Sequence, residues 1–121
     1  MAQRRIMIVD PNLYSRAVLS NILHSHGYSV CFEARNVKEA LENYEKARPD
    51  FVLVEAQMPD SDGVATISLL RREFDDCQPF LCAGSGQRSM VCAAMSAGAV
   101  DFIPKPYSER TVIRTLMRHT H

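Results

Sequence analysis

The apolar residues of this chain fall into five short runs, and segments with helical spacing separate these runs. The runs are Ile6–Val9, Tyr28–Phe32, Phe51–Val54, Phe80–Ala83 and Val100–Ile103. The third run shows no polar alternation, which is typical of a strand that is covered on both faces. Between the runs, apolar residues recur every three or four positions, as they do in amphipathic helices. The pattern therefore predicts five strands that alternate with five helices.

Capping signals set the ends of the predicted helices. The first helix is expected from Asn12 to His26, because Gly27 then supplies a C-terminal stop. Asn36 with a glutamate three residues later resembles a capping box and starts the second helix, which Arg48-Pro49 ends. The remaining helices are expected around Val64–Phe74, before Gly98 and after Ser108.

Strict alternation of strands and helices indicates an α/β fold with a parallel sheet and helices on both of its faces. In open sheets of this kind, ligands bind beyond the carboxyl ends of the strands. Asp10, Glu55 and the stretch Ala83-Gly84-Ser85 all follow predicted strands. We therefore expect these residues to meet at one edge of the sheet.

Length, charge and composition narrow the functional classes. A chain of 121 residues suits one domain, residues 1–121. Its formal net charge of 0 gives no electrostatic case for direct binding to nucleic acid or to an anionic membrane. The N-terminus lacks the apolar region of a signal peptide, so we expect a cytoplasmic protein. The four cysteines lack the spacing of zinc sites, and we expect reduced, mostly buried thiols.

Six short motifs follow one another along the chain. They are Ile8-Val9-Asp10, Pro49-Asp50, Met58-Pro59, Asp62-Gly63, Gly98-Ala99 and Lys105-Pro106. Together they resemble the receiver domain of bacterial response regulators over essentially the whole chain. The resemblance implies a flavodoxin-like, doubly wound sheet of five strands in the order 2-1-3-4-5 with five helices. It also implies two-component signal transduction, in which a histidine kinase phosphorylates an aspartate at the end of the third strand.

The resemblance assigns roles to particular residues, and three of them are retained. Asp10 is the first of two acidic residues that help to hold Mg²⁺ in the family. Lys105 is the lysine that pairs with the phosphoryl group. Phe102 is the aromatic residue of the fifth strand that changes rotamer on activation.

Three other positions depart from the family pattern. Pro11 replaces the second acid, and Glu55 replaces the phosphoacceptor aspartate. Gly84 stands where the family has threonine or serine, unless Ser85 shifts to serve. Pro11 offers no side-chain oxygen to a metal that demands oxygen ligands. Glu55 is one methylene longer than aspartate, which moves its oxygens by roughly 1.5 Å. We therefore expect Mg²⁺ to bind weakly or not at all, and only through Asp10.

These departures predict a degenerate receiver, or pseudo-receiver, that is not an enzyme and acts as a protein-interaction module. Two alternatives stay open. The domain could be phosphorylated on Glu55 or a nearby aspartate with altered chemistry. It could also be a flavodoxin-like binder of a small molecule or nucleotide that uses the Gly84-Ser85-Gly86 loop, although this loop lacks the Lys-Ser/Thr ending of a P-loop.

The last predicted helix carries an arginine at every fourth position, namely Arg110, Arg114 and Arg118. Such a stripe is typical of a solvated helix face. The resemblance adds a second interpretation, because receivers bind partners or each other through the fourth helix, fifth strand and fifth helix. The expected partners are a histidine kinase, an output domain, another signalling protein or a second copy.

Overall fold

The computed structural model describes residues 4–59 and 61–120, and they form one five-stranded parallel sheet with five helices. The strand order is β2-β1-β3-β4-β5, so the flavodoxin-like fold expected from the sequence is confirmed. The elements are β1 (Arg5–Val9), α1 (Leu13–Ser25), β2 (Ser29–Ala34), α2 (Val37–Ala47), β3 (Phe51–Glu55), α3 (Gly63–Glu73), β4 (Pro79–Ala83), α4 (Arg88–Ala97), β5 (Asp101–Pro104) and α5 (Glu109–Met117).

Helices on both faces bury the central strands, as the unbroken apolar run of β3 predicts. Val52 and Val54 point into a core that contains side chains of α2, α3 and α4. Phe51 and Leu53 point to the opposite face and pack with side chains of α1 and α5. All five residues of β3 and all five of β4 are buried. This leaves the carboxyl ends of the strands as the place where polar side chains can gather.

The helix ends follow the capping signals with two informative differences. Asn12 is the N-cap of α1 rather than its first residue, and its side-chain oxygen accepts from the Ser15 N–H at 2.8 Å. Asn36 caps α2 as expected, with its side chain accepting from the Glu39 N–H. The Glu39 carboxylate, however, accepts from the N–H of Arg35 at 2.8 Å, so the reciprocal bond of the capping box falls one residue early.

The second strand lies further along the chain than the apolar run suggested. Tyr28 lies in the turn that follows α1, where its N–H donates to the Leu23 carbonyl at 3.0 Å. The strand continues to Ala34, and its pairing with β1 shifts register between Ile6 and Met7. This irregularity lengthens β2 toward the carboxyl edge of the sheet. None of the described helices has the length and apolar character needed to cross a membrane.

Candidate functional site

A buried ion pair occupies the carboxyl edge of the sheet. Glu55 is the last residue of β3, and Lys105 directly follows β5. The Lys105 ammonium lies 2.6 Å from Glu55 Oε2, with only 9% of the glutamate side chain and 28% of the lysine side chain exposed. The second carboxylate oxygen, Oε1, accepts from the Gln57 N–H at 3.4 Å. Glu55 is therefore held in place by a cation and is nearly closed off from water.

Asp10 is a second carboxylate at the same edge and is only 3% exposed. Its backbone N–H donates to the Ala34 carbonyl at 2.9 Å, so the lengthened β2 fixes its position. Its Oδ1 accepts from the Asn12 N–H at 2.8 Å. Its Oδ2 is buried and accepts no hydrogen bond from the described residues. A buried oxygen of this kind is unusual in a folded protein and marks a position suited to a polar group.

Arg16 is a site residue that the sequence analysis missed. This arginine of α1 is 8% exposed, and its Nη1 donates to the Asp10 carbonyl at 2.7 Å. Its Nε lies 3.1 Å from Glu33 Oε1. The signal was present in the helical spacing, because Arg16 shares the buried face of α1 with Leu19 and Leu23. A charged residue on an apolar face indicates a buried partner.

A neutral pair of polar side chains lies beneath the charges. Cys82 is opposite Glu55 in the β3–β4 pairing, and its thiol lies near the Tyr107 hydroxyl. Burial raises the pKa of the Cys82 thiol to about 12. Burial, and then the nearby Cys82, also raise the pKa of the Tyr107 hydroxyl above its usual value. Both groups therefore stay neutral near pH 7, and the Tyr107 ring lies 5.8 Å from the Lys105 ammonium.

The structure places Gly84 beside Lys105, directly after β4. A Cβ added at Gly84 would lie 3.9 Å from the Lys105 carbonyl oxygen and 4.0 Å from its Cβ, which is ordinary contact. The Gly84 N–H donates to the Gln87 side-chain oxygen at 2.8 Å. Neighbouring Ser85 is exposed and makes no hydrogen bond with the described residues. A side chain would therefore fit at position 84, but this site has no hydroxyl there.

Magnesium is the metal that the family resemblance implies, and the donor set fits it poorly. Asp10 offers one buried oxygen. Pro11 is exposed and has no side-chain oxygen, and Glu55 is already held by Lys105. Within residues 4–59 and 61–120, no group of three or more histidine, cysteine or acidic side chains could hold a metal ion. Mg²⁺ requires near-octahedral oxygen coordination and gives up its water reluctantly, so one carboxylate oxygen is too little.

The predicted interface residues are exposed, with one difference. Phe102 on β5 is 39% exposed, and Arg110 and Arg114 are exposed on α5. Neither of these two arginines pairs with a described residue. Arg118 lies just beyond α5, and its Nη1 is 3.4 Å from Asp101 Oδ2. Of the three arginines, two have no ion-pair partner among the described residues, and Arg118 pairs with Asp101 of β5.

The protein is a flavodoxin-like α/β domain. Asp10, Glu55 and Lys105 form a charged site at the carboxyl ends of its strands. The family model of the response regulator receiver domain matches residues 6–117. The chain belongs to this family and is a receiver domain of two-component signalling.

Known relatives agree with this assignment. The chemotaxis protein CheY of Thermotoga maritima is 35% identical over 113 residues, which are 93% of this chain and 94% of that protein. The chemotaxis protein CheY of Bacillus subtilis is 35% identical over 112 residues, or 93% of each chain. A chain of the CheX–CheY–BeF3–Mg²⁺ complex from Borrelia burgdorferi has a TM-score of 0.90 at 23% identity. It covers 98% of this chain and 90% of that chain, which supports the fold.

Proposed function

We propose that this receiver domain is not phosphorylated in the usual way and acts as a protein-interaction module. The observation that carries the proposal is the ion pair between Glu55 and Lys105, with 2.6 Å between ammonium and carboxylate. In the family, the residue at position 55 is the acceptor and the lysine contacts the incoming group. Here the two side chains already satisfy each other.

The length of Glu55 also works against phosphoryl transfer. Its carboxylate extends roughly 1.5 Å beyond that of an aspartate, the length of one C–C bond. Misplacing a reacting atom by about 1 Å can lower a rate roughly 100-fold. Lys105 holds the longer side chain in this displaced position, so the shift is built into the resting site.

Two of the groups that would support an incoming phosphoryl group are also missing. A phosphoryl group carries about −1.5 to −2 charges, and phosphoryl transfer depends on cations and donors that offset them. Lys105 is present, but Pro11 offers no side-chain oxygen to a metal and Gly84 offers no hydroxyl to the phosphoryl group. We therefore propose a domain that needs no cofactor, binds Mg²⁺ weakly at most and is not an enzyme.

Two roles for Glu55 are then open. In the first, its negative charge beside Lys105 is a permanent partial mimic of the activated state. In the second, Glu55 is a tolerated acid in a site that no longer serves phosphorylation. The variant Glu55→Gln keeps the shape and removes the charge, so partner binding falls only if the charge mimics activation. Equal partner binding by Glu55→Gln and the parent domain would support the second role, a tolerated acid.

A protein partner fits the exposed surface better than a nucleic acid does. The α4–β5–α5 surface, defined here by Phe102, Arg110 and Arg114, combines an aromatic ring with two free cations. Aromatic and arginine side chains are enriched in protein interfaces. The net charge of 0 gives no general attraction to nucleic acid. The partner is a histidine kinase, an output domain, another signalling protein or a second copy.

Acetyl phosphate provides the direct test of the proposal. The domain is incubated with acetyl phosphate and Mg²⁺, and the intact mass is measured. We expect no phosphorylated species. Mass addition that disappears in Glu55→Ala would instead establish the alternative, a receiver phosphorylated at Glu55 with altered chemistry. Addition that survives in Glu55→Ala would direct the search to a nearby aspartate.

Charge reversal provides the test of the interface. Arg114→Glu should weaken self-association or partner binding, because it places a negative charge on the α4–β5–α5 surface. Arg72→Glu is the matched control, since Arg72 is also exposed but lies on α3. Equal effects of the two variants would argue against this surface.

A further inference from the structure

A cavity of about 410 Å³ lies beside the ion pair, between the loop after β4, the start of α4 and β5. This volume falls within the range of about 300–1,000 Å³ that is typical of small-molecule sites. Its walls include Gly84, Arg88, Val91, Phe102, Pro104 and Lys105. The cavity therefore opens from the charged site at the carboxyl edge toward the surface of α4 and β5.

One side of this cavity is apolar. Val91, Phe102 and Pro104 line it, and Phe102 is among the few large apolar side chains that are substantially exposed. An aromatic ring that lines a concave site offers both contact area and a flat stacking surface. The wall thus suits a ligand with an apolar or aromatic body.

The charged side chains of the cavity are both basic. Arg88 is exposed at the start of α4 and makes no hydrogen bond or ion pair with a described residue. Lys105 reaches the cavity as well as Glu55. None of the described residues that line the cavity is acidic. The complementary ligand is an anion, since it gains a partner in Arg88 without meeting a carboxylate on the walls.

Gly84 lines the cavity next to Lys105. A Cβ at this position would lie about 4 Å from the Lys105 carbonyl oxygen and the Gln87 side-chain oxygen, which is contact distance but no clash. Because Gly84 has no side chain, this part of the wall leaves room for a ligand beside Lys105.

We propose that this cavity binds a small organic anion with an apolar or aromatic body. The body packs against Phe102 and Val91, and the anionic group lies between Arg88 and Lys105. Such a ligand competes with Glu55 for the Lys105 ammonium. If the domain is not phosphorylated, as proposed above, ligand binding supplies a different input to the same lysine and to the α4–β5 surface.

Anilinonaphthalene sulfonate is a suitable probe, because it joins an aromatic body to a single anionic group. Its neutral analogue N-phenylnaphthylamine has the same body without the sulfonate. Binding is measured by fluorescence titration, and the site is mapped by amide chemical shifts of the labelled domain. We expect saturable binding of one sulfonate probe, shifts centred on residues 84–91 and 102–105, and weaker binding of the neutral analogue.

Three variants test the assignment of the walls. Arg88→Gln should weaken binding of the sulfonate about fivefold, as expected for a solvated ion pair, and leave the neutral analogue unchanged. Phe102→Ala should weaken both probes about fivefold. Gly84→Leu should fill part of the cavity and weaken binding of the sulfonate about tenfold. Arg72→Gln on α3 is the matched control and should stay within twofold.

Unchanged affinity in Arg88→Gln, or shifts that map away from the cavity, would overturn the proposal. Binding that vanishes as the domain self-associates would identify a second copy as the occupant and overturn it as well. The acetyl phosphate assay is independent of these measurements. A domain that takes up phosphate and still binds the probe keeps the cavity but loses the idea of an alternative input.

Discussion

Glu55 is one methylene longer than the aspartate that the family pattern has at this position. Its carboxylate lies 2.6 Å from the Lys105 ammonium. Burial strengthens this contact, because water competes poorly for a glutamate side chain that is 9% exposed. The residue at the position that the family resemblance assigns to the phosphoacceptor is here a carboxylate paired with a lysine.

The ion pair should contribute measurably to stability. Lys105→Met removes the cation and leaves Glu55 buried without it, so we expect a loss of about 2–3 kcal/mol. This is less than the ~3–5 kcal/mol for a fully buried pair, because Lys105 is partly exposed. The double variant Glu55→Gln/Lys105→Met should recover much of the loss. Urea unfolding measures the stability of both variants. Lys38→Met is the control, because Lys38 is an exposed residue of α2.

The interpretation would be contradicted if the double variant lost as much stability as Glu55→Gln and Lys105→Met lose together. Such a loss would mean that Glu55 and Lys105 stabilise the fold through separate contacts.

The cysteines show where residue-level prediction was wrong. The sequence suggested mostly buried thiols, but only Cys77 and Cys82 are buried, while Cys31 is half-buried and Cys92 is exposed on α4. Composition alone cannot place a cysteine on the inner or outer face of a helix. That depends on which face of α4 packs against the sheet, and only Ala94 of α4 is fully buried.

Thiol reactivity should separate these four residues. Burial raises the pKa of Cys77 to about 11 and that of Cys82 to about 12, so both stay protonated at pH 8. Cys92 should therefore react first with a chromogenic disulfide at pH 8, Cys31 more slowly, and the other two only after unfolding. Cys92→Ser should abolish the fast phase. A fast phase that survives this substitution would contradict the assignment.

At the scale of elements, the sequence specified the order and type of every strand and helix. Gly27, Asn36 and Gly98 are local signals, and each ends or starts a helix where expected, with Gly27 and Gly98 at positive φ. The edges of β2 were wrong because its register shift against β1 is a tertiary feature. The pair Cys82–Tyr107 was missed because distant segments bring the two side chains together, whereas Arg16 was missed although its place on the apolar face of α1 was a readable signal.

Gly63 and Gly84 make a matched pair for a test of packing. A Cβ at Gly63 would lie 2.5 Å from the Glu55 carbonyl oxygen and 2.8 Å from Leu81 Cδ1, so Gly63→Ala must displace the end of β3. We expect a loss of about 1–3 kcal/mol. Gly84→Ala meets only ordinary contacts and should be neutral or stabilising by up to about 1 kcal/mol. If urea unfolding shows equal stability for Gly63→Ala and Gly84→Ala, the loop after β3 can shift to accommodate the added Cβ.

At the scale of the whole molecule, the fold was predictable but the behaviour of the site was only partly so. Because the strands are parallel, Asp10, Glu55 and Lys105 lie together at the carboxyl ends of the strands, and this placement does not depend on their chemical role. The sequence could therefore locate the site and name its departures. It could not show that Glu55 pairs with Lys105, or that Gly84 lines a cavity beside Lys105, because these depend on side-chain distances.

Restoring the missing groups is the most demanding test of this interpretation. The triple variant Pro11→Asp/Glu55→Asp/Gly84→Thr returns an acid, a shorter acceptor and a hydroxyl to one site. Position 11 is exposed and position 84 has room, so the substitutions meet no steric obstacle. We expect this variant to gain a phosphoryl group from acetyl phosphate with Mg²⁺, as measured by intact mass, whereas the parent domain does not.

A second readout follows from charge. The triple variant gathers three carboxylates, at positions 10, 11 and 55, that repel one another without a metal, so it should melt below the parent. Mg²⁺ should raise its melting temperature, because a ligand that binds only the folded state stabilises it. The double variant Pro11→Asp/Gly84→Thr retains Glu55 and is the matched control. If it is labelled as readily as the triple variant, the glutamate is not the obstacle, and the altered-chemistry receiver becomes the better description of this domain.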